Sequence, residues 1–488
     1  MFPLGQLLPP CRIPAILLAI GMFSAADSLA ASYDIRALTG DKATSFFGGV
    51  RQGSFGSPAL NDKGSVAYAC ILYGPKVNAI TNTSIIYKPK SKKKKAATAV
   101  QAGAALNDSF LPGYGSSNVY GLPGSAYVYG LDKNVAINKR NQIAFIAEVI
   151  STTETDNYQN GVLVSISYAG DDRSDYGVVF PSASGPGGFQ NANLAIYDSY
   201  FPEILQRTLS INSQGSVPRN SDIQVTPTRT VPGFRYSYAT SLIMANLPSN
   251  GGFVTVPYYL SSGAILATTE SNVIGLPYET TYQSFSDAII ANKNRIFLVA
   301  DISDTGDEYD GLWQGNNPNL QPVVVKQTKA PGGGVFESFE GTAGPNPTGK
   351  LVAFIANLGG AGADQGVFVS NLKGTQIDQL ALTGDDAPGT EGTFSAFELA
   401  SVNDRGAVAI LGTIKDGSST RTGVWVSDRS RKTLELIVLT GDTLNVRGKE
   451  KRITRIACSP VGGFNRKSEI AFTASFNDKT SAVIVAKP

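Results

Sequence analysis

The stretch FSAFELASVNDRGAVAILGTIKDGSSTRTGVWVSDRSRKTLELIVLTGD, residues 394–442, carries the pattern that decides the fold. Four runs rich in β-branched and aromatic residues are separated by short polar turns, and this punctuation predicts four antiparallel strands in a meander. The first turn places Gly406 three residues after Asn403, where a tight hairpin requires a positive φ angle. Since helix patterns are nearly absent from the rest of the mature chain, we predict an all-β fold.

An Asn at such a turn, ahead of an apolar strand, recurs seven times at intervals of 54 to 80 residues. The seven are Asn61, Asn138, Asn212, Asn292, Asn346, Asn403 and Asn465. A repeat of this length is one supersecondary unit that buries its apolar faces only against its neighbours. Four short strands with their turns need about 40 to 50 residues, the length of one propeller blade. The pattern predicts a seven-bladed β-propeller of four-stranded antiparallel blades.

The two chain ends complement each other. Residues 32–41, SYDIRALTGD, match the fourth strand LELIVLTGD, whereas the last unit stops at SAVIVAKP, which matches the third strand. We predict that the two segments pair and close the ring, because this pairing removes an open sheet edge. Residues 31–488 are then a single propeller domain with an irregular insertion around residues 187–282.

The first thirty residues have the layout of a secretory signal peptide, with Arg12, an apolar run at residues 13–23 and small residues before Ala30. The run is shorter than the ~20 residues that span a bilayer, so cleavage after Ala30 is favoured over a membrane anchor. We expect a secreted or periplasmic protein with no transmembrane segment after cleavage. Cys70 and Cys458 fall in blades that ring closure makes neighbours, and either a disulfide between them or two free thiols fits the sequence.

The chain contains no His, which excludes His-containing zinc sites, Ser-His-Asp and Cys-His catalysis and histidine pH switches. Lys and Arg number 41 against 39 Asp and Glu, so nucleic acid is not an expected partner. Catalysis would have to use carboxylates, Tyr, Lys, Arg or a metal held by oxygen ligands. We expect a monomer without a cofactor other than Ca²⁺.

The run LTGDDAPG at residues 382–389, the Phe394 and Phe397 that follow it, the Asn-x-x-Gly turn and the strand starts at Gly366 and Gly423 form a recurring signature. It resembles the tandem Asn-x-x-Gly repeats of secreted bacterial proteins of the choice-of-anchor type. The resemblance implies a β-propeller-like fold. The function of such proteins is largely unassigned, so it transfers no catalytic residue. This chain ends in VAKP without the sorting anchor that many of them carry.

Acidic residues concentrate in two loops between second and third strands. One holds Asp301, Asp304, Asp307, Glu308 and Asp310, and the other holds Asp156. A carboxylate cluster can bind Ca²⁺ through six to eight oxygens, or supply an acid and a base for glycoside chemistry. A solvated hairpin tip is the alternative.

Tyrosines concentrate between residues 187 and 282 and include Tyr236, Tyr238 and Tyr258. Tyr offers an apolar face with a hydrogen-bonding end, which suits stacking on sugars or contact with a protein. Ordinary packing between blades also explains aromatic residues. Together with Asp156, Asp304 and Asp307, these tyrosines mark the predicted ligand-binding face, the one that carries the second-to-third loops.

Two further groups have a structural and a functional interpretation. Asp41, Asp385 and Asp442 recur in Gly-Asp pairs after fourth strands, where repetition favours a structural role over a ring of active carboxylates. The run KPKSKKKK, residues 88–95, is either a solvated hairpin or a contact for anionic polysaccharide or lipid headgroups.

The sequence therefore favours an exported binding module for a glycan or an envelope or extracellular protein. A polysaccharide hydrolase or lyase that uses carboxylates and Tyr is the alternative, and a structural surface-layer component is a second one. No catalytic residue is assigned.

Overall fold

The computed structural model describes the chain from residue 31 to residue 488, with gaps. The gaps are residues 44–47, 80, 92, 94, 103–104, 107–117, 120–121, 124–125, 152–157, 167–174, 182–189, 192–193, 196–208, 215, 226–236, 247–262, 269–279, 287, 305–306, 317–318 and 361. Residues Ala31–Pro488 form one compact unit, apart from Met1–Ala30.

The described residues form β-strands and one 3₁₀ turn at Asn292–Asn294, so the all-β prediction is confirmed. The strands of the first part of the chain are β1 (Ser32–Leu38), β2 (Arg51–Phe55), β3 (Ala59–Leu60), β4 (Val66–Tyr73), β5 (Thr83–Lys88), β6 (Ala97–Gln101), β7 (Ala105–Leu106), β8 (Asn118–Val119), β9 (Leu122–Pro123), β10 (Ala126–Ile137), β11 (Ile143–Ser151), β12 (Tyr158–Ile166) and β13 (Asp175–Pro181). The middle part holds β14 (Gln190–Asn191), β15 (Leu194–Ala195), β16 (Ser216–Val225), β17 (Ser237–Asn246), β18 (Gly263–Thr268), β19 (Thr281–Phe285), β20 (Ile289–Ala291), β21 (Arg295–Asp304), β22 (Asp307–Asn316) and β23 (Asn319–Val325). The last part holds β24 (Val335–Pro345), β25 (Leu351–Gly359), β26 (Gln365–Asn371), β27 (Ile377–Leu382), β28 (Thr393–Val402), β29 (Val408–Asp416), β30 (Ser419–Ser427), β31 (Leu434–Leu439), β32 (Thr443–Val446), β33 (Lys449–Cys458), β34 (Ile470–Phe476) and β35 (Ser481–Lys487).

Antiparallel meanders are the common unit of these strands. In the described part of the chain the larger sheets have the strand orders β2-β4-β5-β6, β13-β12-β11-β10-β7, β14-β15-β16-β17-β18, β19-β21-β22-β23, β24-β25-β26-β27, β28-β29-β30-β31 and β1-β35-β34-β33-β32. The four strands predicted from residues 394–442 are β28 to β31. The stretch around residues 187–282, which the sequence marks as irregular, contains the sheet of β14 to β18.

The last sheet contains the first strand of the chain. β1 pairs antiparallel with β35, from Ser32 opposite Lys487 to Leu38 opposite Ala482. This is the predicted pairing of SYDIRALTG with SAVIVA. It gives β35 a partner on the side that would otherwise be a free edge.

The sheets of β24 to β35 bury both faces, because their central strands carry consecutive apolar residues and successive side chains point to opposite faces. In β29 and β30, Ile410 and Trp425 pack with Ile355 of the preceding sheet. Their neighbours in sequence, Leu411 and Val424, pack on the other face, against the following sheet.

The last sheet continues this pattern onto the first one. Ala471 and Val483 of β34 and β35 share a core cluster with Tyr68 and Ile86 of β4 and β5. The two ends of the chain are therefore joined by core packing as well as by the pairing of β1 with β35.

Candidate functional site

The repeated Asn residues hold their own turns together. In the turn after β28, the Oδ1 atom of Asn403 accepts the backbone N–H groups of Arg405 and Ala407 at 2.9 and 3.1 Å. Asn61, Asn138 and Asn465 accept the equivalent pairs of N–H groups. Such side-chain bonds satisfy backbone donors that a tight turn leaves without partners. The residue three positions after the Asn has a positive φ, as predicted, at Gly64, Asn141, Gly349 and Gly406.

The Nδ2 atom of the same Asn reaches the next turn along the chain. Asn61 donates to the carbonyl oxygen of Asn138 at 3.0 Å, and Asn138 donates to that of Asn212 at 2.8 Å. Asn403 donates to the carbonyl of Asn465 at 3.1 Å, and Asn465 donates back to the carbonyl of Asn61 at 3.2 Å. The last turn is therefore bonded to the first. An Asp or Ser could cap its own turn equally well, but only an amide also supplies this N–H donor.

The fourth turn corrects the sequence interpretation by one residue. Asn212 donates to the carbonyl oxygen of Ala291, not to that of Asn292. Asn294, which has a positive φ, lies three residues after Ala291. Ala291 therefore occupies the repeat position, and Asn292 stands one place later, where its Oδ1 accepts the N–H of Ser213 at 3.0 Å.

Other bonds connect the turns on either side of Asn346. Its Nδ2 atom bonds Thr348 within its own turn. The N–H of Asn292 donates to the carbonyl of Pro347 at 2.8 Å. The N–H of Thr348 donates to Oδ1 of Asp404 at 2.9 Å. Every pair of consecutive turns is thus hydrogen-bonded.

These turns surround a cavity of about 330 Å³, which we call the turn cavity. Its lining comes from all seven turns and the strand ends that precede them: residues 60–62, 136–139, 209–213, 289–292, 345–348, 401–402 with 404, and 461–462 with 464–466. The wall is mixed: about half of its residues are apolar, Leu60, Ile137, Ile290, Val402 and Phe464 among them, and about half are polar or charged.

Charged side chains of the lining come from the residue that follows the repeat Asn. They are Asp62, Lys139, Asp404 and Arg466. Asp62 accepts the N–H of Arg466 at 2.9 Å with Oδ1, just as Asp404 accepts that of Thr348. The sequence analysis did not single out these four residues. The sequence feature that could have identified them is the position after the repeat Asn: it is charged in four copies and is Ser213 or Pro347 in two others.

The predicted ligand-binding residues are on other parts of the chain. Asp156, Tyr236 and Tyr258 lie outside the described residues. Tyr238 is in β17, where its backbone pairs with Gln224. The backbones of Asp304 and Asp307 pair across the β21–β22 hairpin. The described residues that line the turn cavity include none of the six, and the predicted ligand-binding face stays a prediction.

The acidic hairpin has only two carboxylates whose surroundings are described, Asp301 and Asp310, which lie opposite each other in β21 and β22. Asp310 accepts the N–H of Phe339 at 2.8 Å, and Asp301 accepts the hydroxyl of Ser284. Burial raises the pKa of Asp310, with the negative charge of Asp301 adding to the rise and the bond from Phe339 opposing it.

The position of Asp310 recurs in the next sheet as Gln365. Oε1 of Gln365 accepts the N–H of Phe397 at 2.7 Å, as Asp310 accepts that of Phe339. This equivalence favours a structural role for Asp310. Within the described residues there is no group of three or more carboxylate, Cys or His ligands that could hold a metal. A Ca²⁺ site that includes Asp304, Asp307 and Glu308 remains a prediction.

The Gly-Asp carboxylates have the structural role favoured by their repetition. The backbone N–H groups of Leu38, Leu382 and Leu439 donate to Asp41, Asp385 and Asp442, respectively, at 2.8 to 2.9 Å. Each Asp therefore fastens the turn that ends its own fourth strand. Asp41 also forms a two-point ion pair with Arg447, which connects β1 to the hairpin after β32.

One lysine of the KPKSKKKK run has a specific partner. Lys90 pairs with Glu469 at 2.8 Å, and Glu469 also accepts Nδ2 of Asn465 at 2.7 Å. Burial raises the pKa of Glu469, but the bonds from Lys90 and Asn465 outweigh it and the net shift is downward. The ion pair of Lys90 with Glu469 thus links the first sheet to the last.

The proposed disulfide is absent, because Cys70 and Cys458 are both free and buried. Cys458 packs with Phe472 and Ile484 on one face of the last sheet. Cys70 packs against the other face, with Ala471 and Val483. The sheet therefore separates the two thiols, since adjacent residues of a strand point to opposite faces. Burial raises the pKa of each thiol to about 12.

No helix among the residues that the structure describes is long and apolar enough to cross a membrane.

Comparison with known families gives one match. Residues 259–488 match a family of unknown function (DUF7453). No curated protein matches the chain.

Several solved structures are similar to the chain at low identity. Oligogalacturonate lyase from Vibrio parahaemolyticus is 10% identical, with a TM-score of 0.46, over 94% of this chain and 97% of the lyase. The β-propeller domain of the Trilobed protease from Pyrococcus furiosus is 9% identical, with a TM-score of 0.40, over 89% of this chain and 93% of that domain. Trypanosoma rangeli sialidase is 10% identical, with a TM-score of 0.35, over 76% of this chain and 57% of the sialidase. Similarities of this strength assign no activity to the chain.

Proposed function

We propose that the protein is an exported, seven-bladed β-propeller that acts as a binding module and holds a glycan in the turn cavity. Export is inferred from the leader-like first thirty residues. The blade count is supported by the seven meander sheets of the described residues and by hydrogen bonds that pass through seven turns and return to the first. Closure is supported by the pairing of β1 with β35.

The observation that carries the proposal is the turn cavity itself. Its lining is fixed before any ligand arrives, because the turns are bonded both internally and to their neighbours. A preformed site loses little conformational entropy on binding. A volume of about 330 Å³ suits a small molecule or one or two sugar units. A protein partner would instead need an extended surface of about 800 Å².

Binding is favoured over catalysis by the residues of the turn cavity. The chain has no His, and the two carboxylates of the lining, Asp62 and Asp404, each use one oxygen to hold a neighbouring turn. Hydrolysis or elimination of a polysaccharide would need an acid and a base free to exchange protons. A hydrolase or lyase would also bind sugars but would release a new product, whereas a surface-layer component needs no cavity that binds a free sugar.

The proposal is tested by filling the cavity. Ser213 lines it, and the backbone N–H of Ser213 keeps its bond to Asn292 whatever the side chain. Ser213→Trp should abolish the binding of any sugar found by calorimetry with a panel of mono- and disaccharides. Ser418→Trp is the matched control, because Ser418 is exposed in the β29–β30 hairpin and does not line the cavity.

Three results would count against the proposal. Release of a new product from an oligosaccharide would favour the enzyme. Sugar binding unchanged in Ser213→Trp would place the site elsewhere, with the Tyr-rich segment as the next candidate. Failure of every sugar to bind the natural sequence would remove the function proposed here.

A further inference from the structure

The charged side chains of the turn cavity are grouped on one side. The last turn of the chain is bonded to the first, so the turns after Asn403, Asn465, Asn61 and Asn138 are consecutive. They contribute side chains of alternating charge, in the order Asp404, Arg466, Asp62 and Lys139. The other three turns contribute Ser213, Asn292 and Pro347 at the corresponding place. One half of the lining is therefore charged, and the other half is neutral.

The two cations of this lining lack ion-pair partners in the described part of the chain. Several other basic residues of the described chain do form ion pairs, among them Lys90 with Glu469, Arg421 with Asp416, Arg431 with Asp378, Arg447 with Asp41 and Lys451 with Asp478. Arg466 and Lys139 have exposed side chains. The turns of Asp62 and Arg466 are neighbours, but it is the backbone N–H of Arg466 that donates to Asp62, not its guanidinium group. The guanidinium group of Arg466 is left available.

The two carboxylates also keep an unused acceptor. Asp62 and Asp404 accept backbone N–H groups through Oδ1, and no hydrogen bond to Oδ2 of either residue is present among the described residues. An ionised carboxylate accepts at both oxygens, so each Oδ2 can accept a hydroxyl proton from a ligand. Phe464 adds an aromatic side chain to the same part of the wall.

We propose that the turn cavity selects a sugar acid, with Arg466 and Lys139 binding its carboxylate and Asp62 and Asp404 accepting its hydroxyl groups. This inference rests on the proposed function and adds the chemical class of the ligand. Arg presents a planar pair of donors that matches a carboxylate, and Lys adds a point charge. A neutral sugar would leave both cations unpaired, and a simple carboxylic acid would leave both Asp acceptors unused.

The test compares glucuronate with glucose, which differ at one carbon. Titration calorimetry at low ionic strength should show glucuronate binding at least tenfold tighter than glucose. Raising the salt from about 50 to 500 mM should reduce this preference, since exposed charges are screened over a few ångströms at high salt.

Variants assign the preference to residues. Arg466→Gln and Lys139→Gln should each lower the affinity for glucuronate at least fivefold and leave that for glucose within twofold. Arg405→Gln is the matched control: Arg405 lies two residues after Asn403, is exposed and does not line the cavity. It should change neither affinity.

The outcomes separate the two proposals. Equal binding of glucose and glucuronate, lost in Ser213→Trp, would overturn the sugar-acid assignment and keep the binding module. A preference for glucuronate that is retained in both Gln variants would also overturn the assignment to Arg466 and Lys139. Binding of neither sugar, together with failure of the wider panel, would overturn both proposals.

Discussion

Replacing Asn403 by Asp tests the role of the bonds between turns. Asn403 is fully buried. Asn403→Asp keeps an oxygen for the N–H groups of Arg405 and Ala407. It removes the N–H groups that Asn403 donates to the carbonyl of Asn465 and to Oγ of Ser468. The shape of the side chain is unchanged, so the effect reports the lost donor.

The expected cost has two parts. A buried carbonyl left without its donor costs about 1–3 kcal/mol. In the ionised form the new carboxylate would also face that carbonyl oxygen, so it gains by taking up a proton and its pKa in the folded state is raised. We expect a loss of about 3 kcal/mol at pH 7, where both terms act, because an uncompensated buried charge adds to the lost bond.

The dependence on pH follows from the raised pKa. A carboxyl group whose pKa is higher in the folded than in the unfolded state stabilises the fold below the unfolded value of about 4, and this contribution is lost as the pH rises through the folded value. The variant should therefore recover most of its stability at pH 4, where the protonated carboxyl can again donate to Asn465.

Urea unfolding of the full chain at pH 4 and pH 7, followed by circular dichroism, measures both effects. Thermal unfolding is less sensitive, since an unfolding entropy of about 2.1 cal/mol/K per residue gives a shift of only about 1 °C per kcal/mol for a domain of this size. Asn371→Asp is the matched control. Asn371 also caps its own turn with Oδ1, but its Nδ2 bonds only Thr375 in the same exposed turn. Equal destabilisation of the two variants, or a cost for Asn403→Asp that does not change with pH, would refute this reasoning.

Two further changes probe the sheet contacts. Asp310→Asn keeps an acceptor for the N–H of Phe339, as Gln365 does for Phe397, and should be at least as stable as the natural sequence at pH 7. Because the pKa of Asp310 is raised, its protonated form stabilises the fold at low pH and this contribution is lost as the pH rises. Urea midpoints at pH 5 and pH 7 should therefore differ less in the variant, and a midpoint lowered at pH 7 would contradict this. Deletion of residues 31–41 should lower the free energy of unfolding by several kcal/mol, since it exposes the edge of β35 and removes the buried Ala37. Unchanged thermal unfolding of the deletion variant would show that β1 contributes nothing to stability.

The strands and hairpins were predictable because their signals are local. Period-two alternation, Gly or Asn at positive φ and polar turns all lie within a few residues of the strands that they define. The prediction of the β1–β35 pair also succeeded, because SYDIRALTG repeats the pattern of a fourth strand. The bonds between turns could not be predicted in this way, since Asn403 and Asn465 are 62 residues apart in sequence.

The misplaced fourth turn and the unformed disulfide both have physical explanations. The sequence ANKN has its Asn one place after the position that the backbone uses. Ala291 can fill that position because Asn212 bonds its backbone carbonyl, while Asn292 and Asn294 supply the side-chain acceptors. For Cys70 and Cys458 the sequence left a disulfide and two free thiols both open, because ring closure makes their blades neighbours. Neighbouring blades do not decide between the two, since the thiols lie on opposite faces of the last sheet.

The turn cavity could not be predicted because its charged lining comes from the position of the repeat that varies from copy to copy. Asn403 and its equivalents have both ends of their amide occupied, so they hold the turns and leave little for a ligand. The residue that follows is less constrained: Asp62 and Asp404 also bond a neighbouring turn, but the position changes to Lys139 or Ser213 elsewhere while the turn keeps its shape. In this repeat one residue fixes the backbone of the turn and the next residue can vary. The lining of the cavity can therefore change without loss of the fold. For this reason the search for ligand contacts should start from Asp62, Lys139 and Arg466, where the sequence departs from its own repeat.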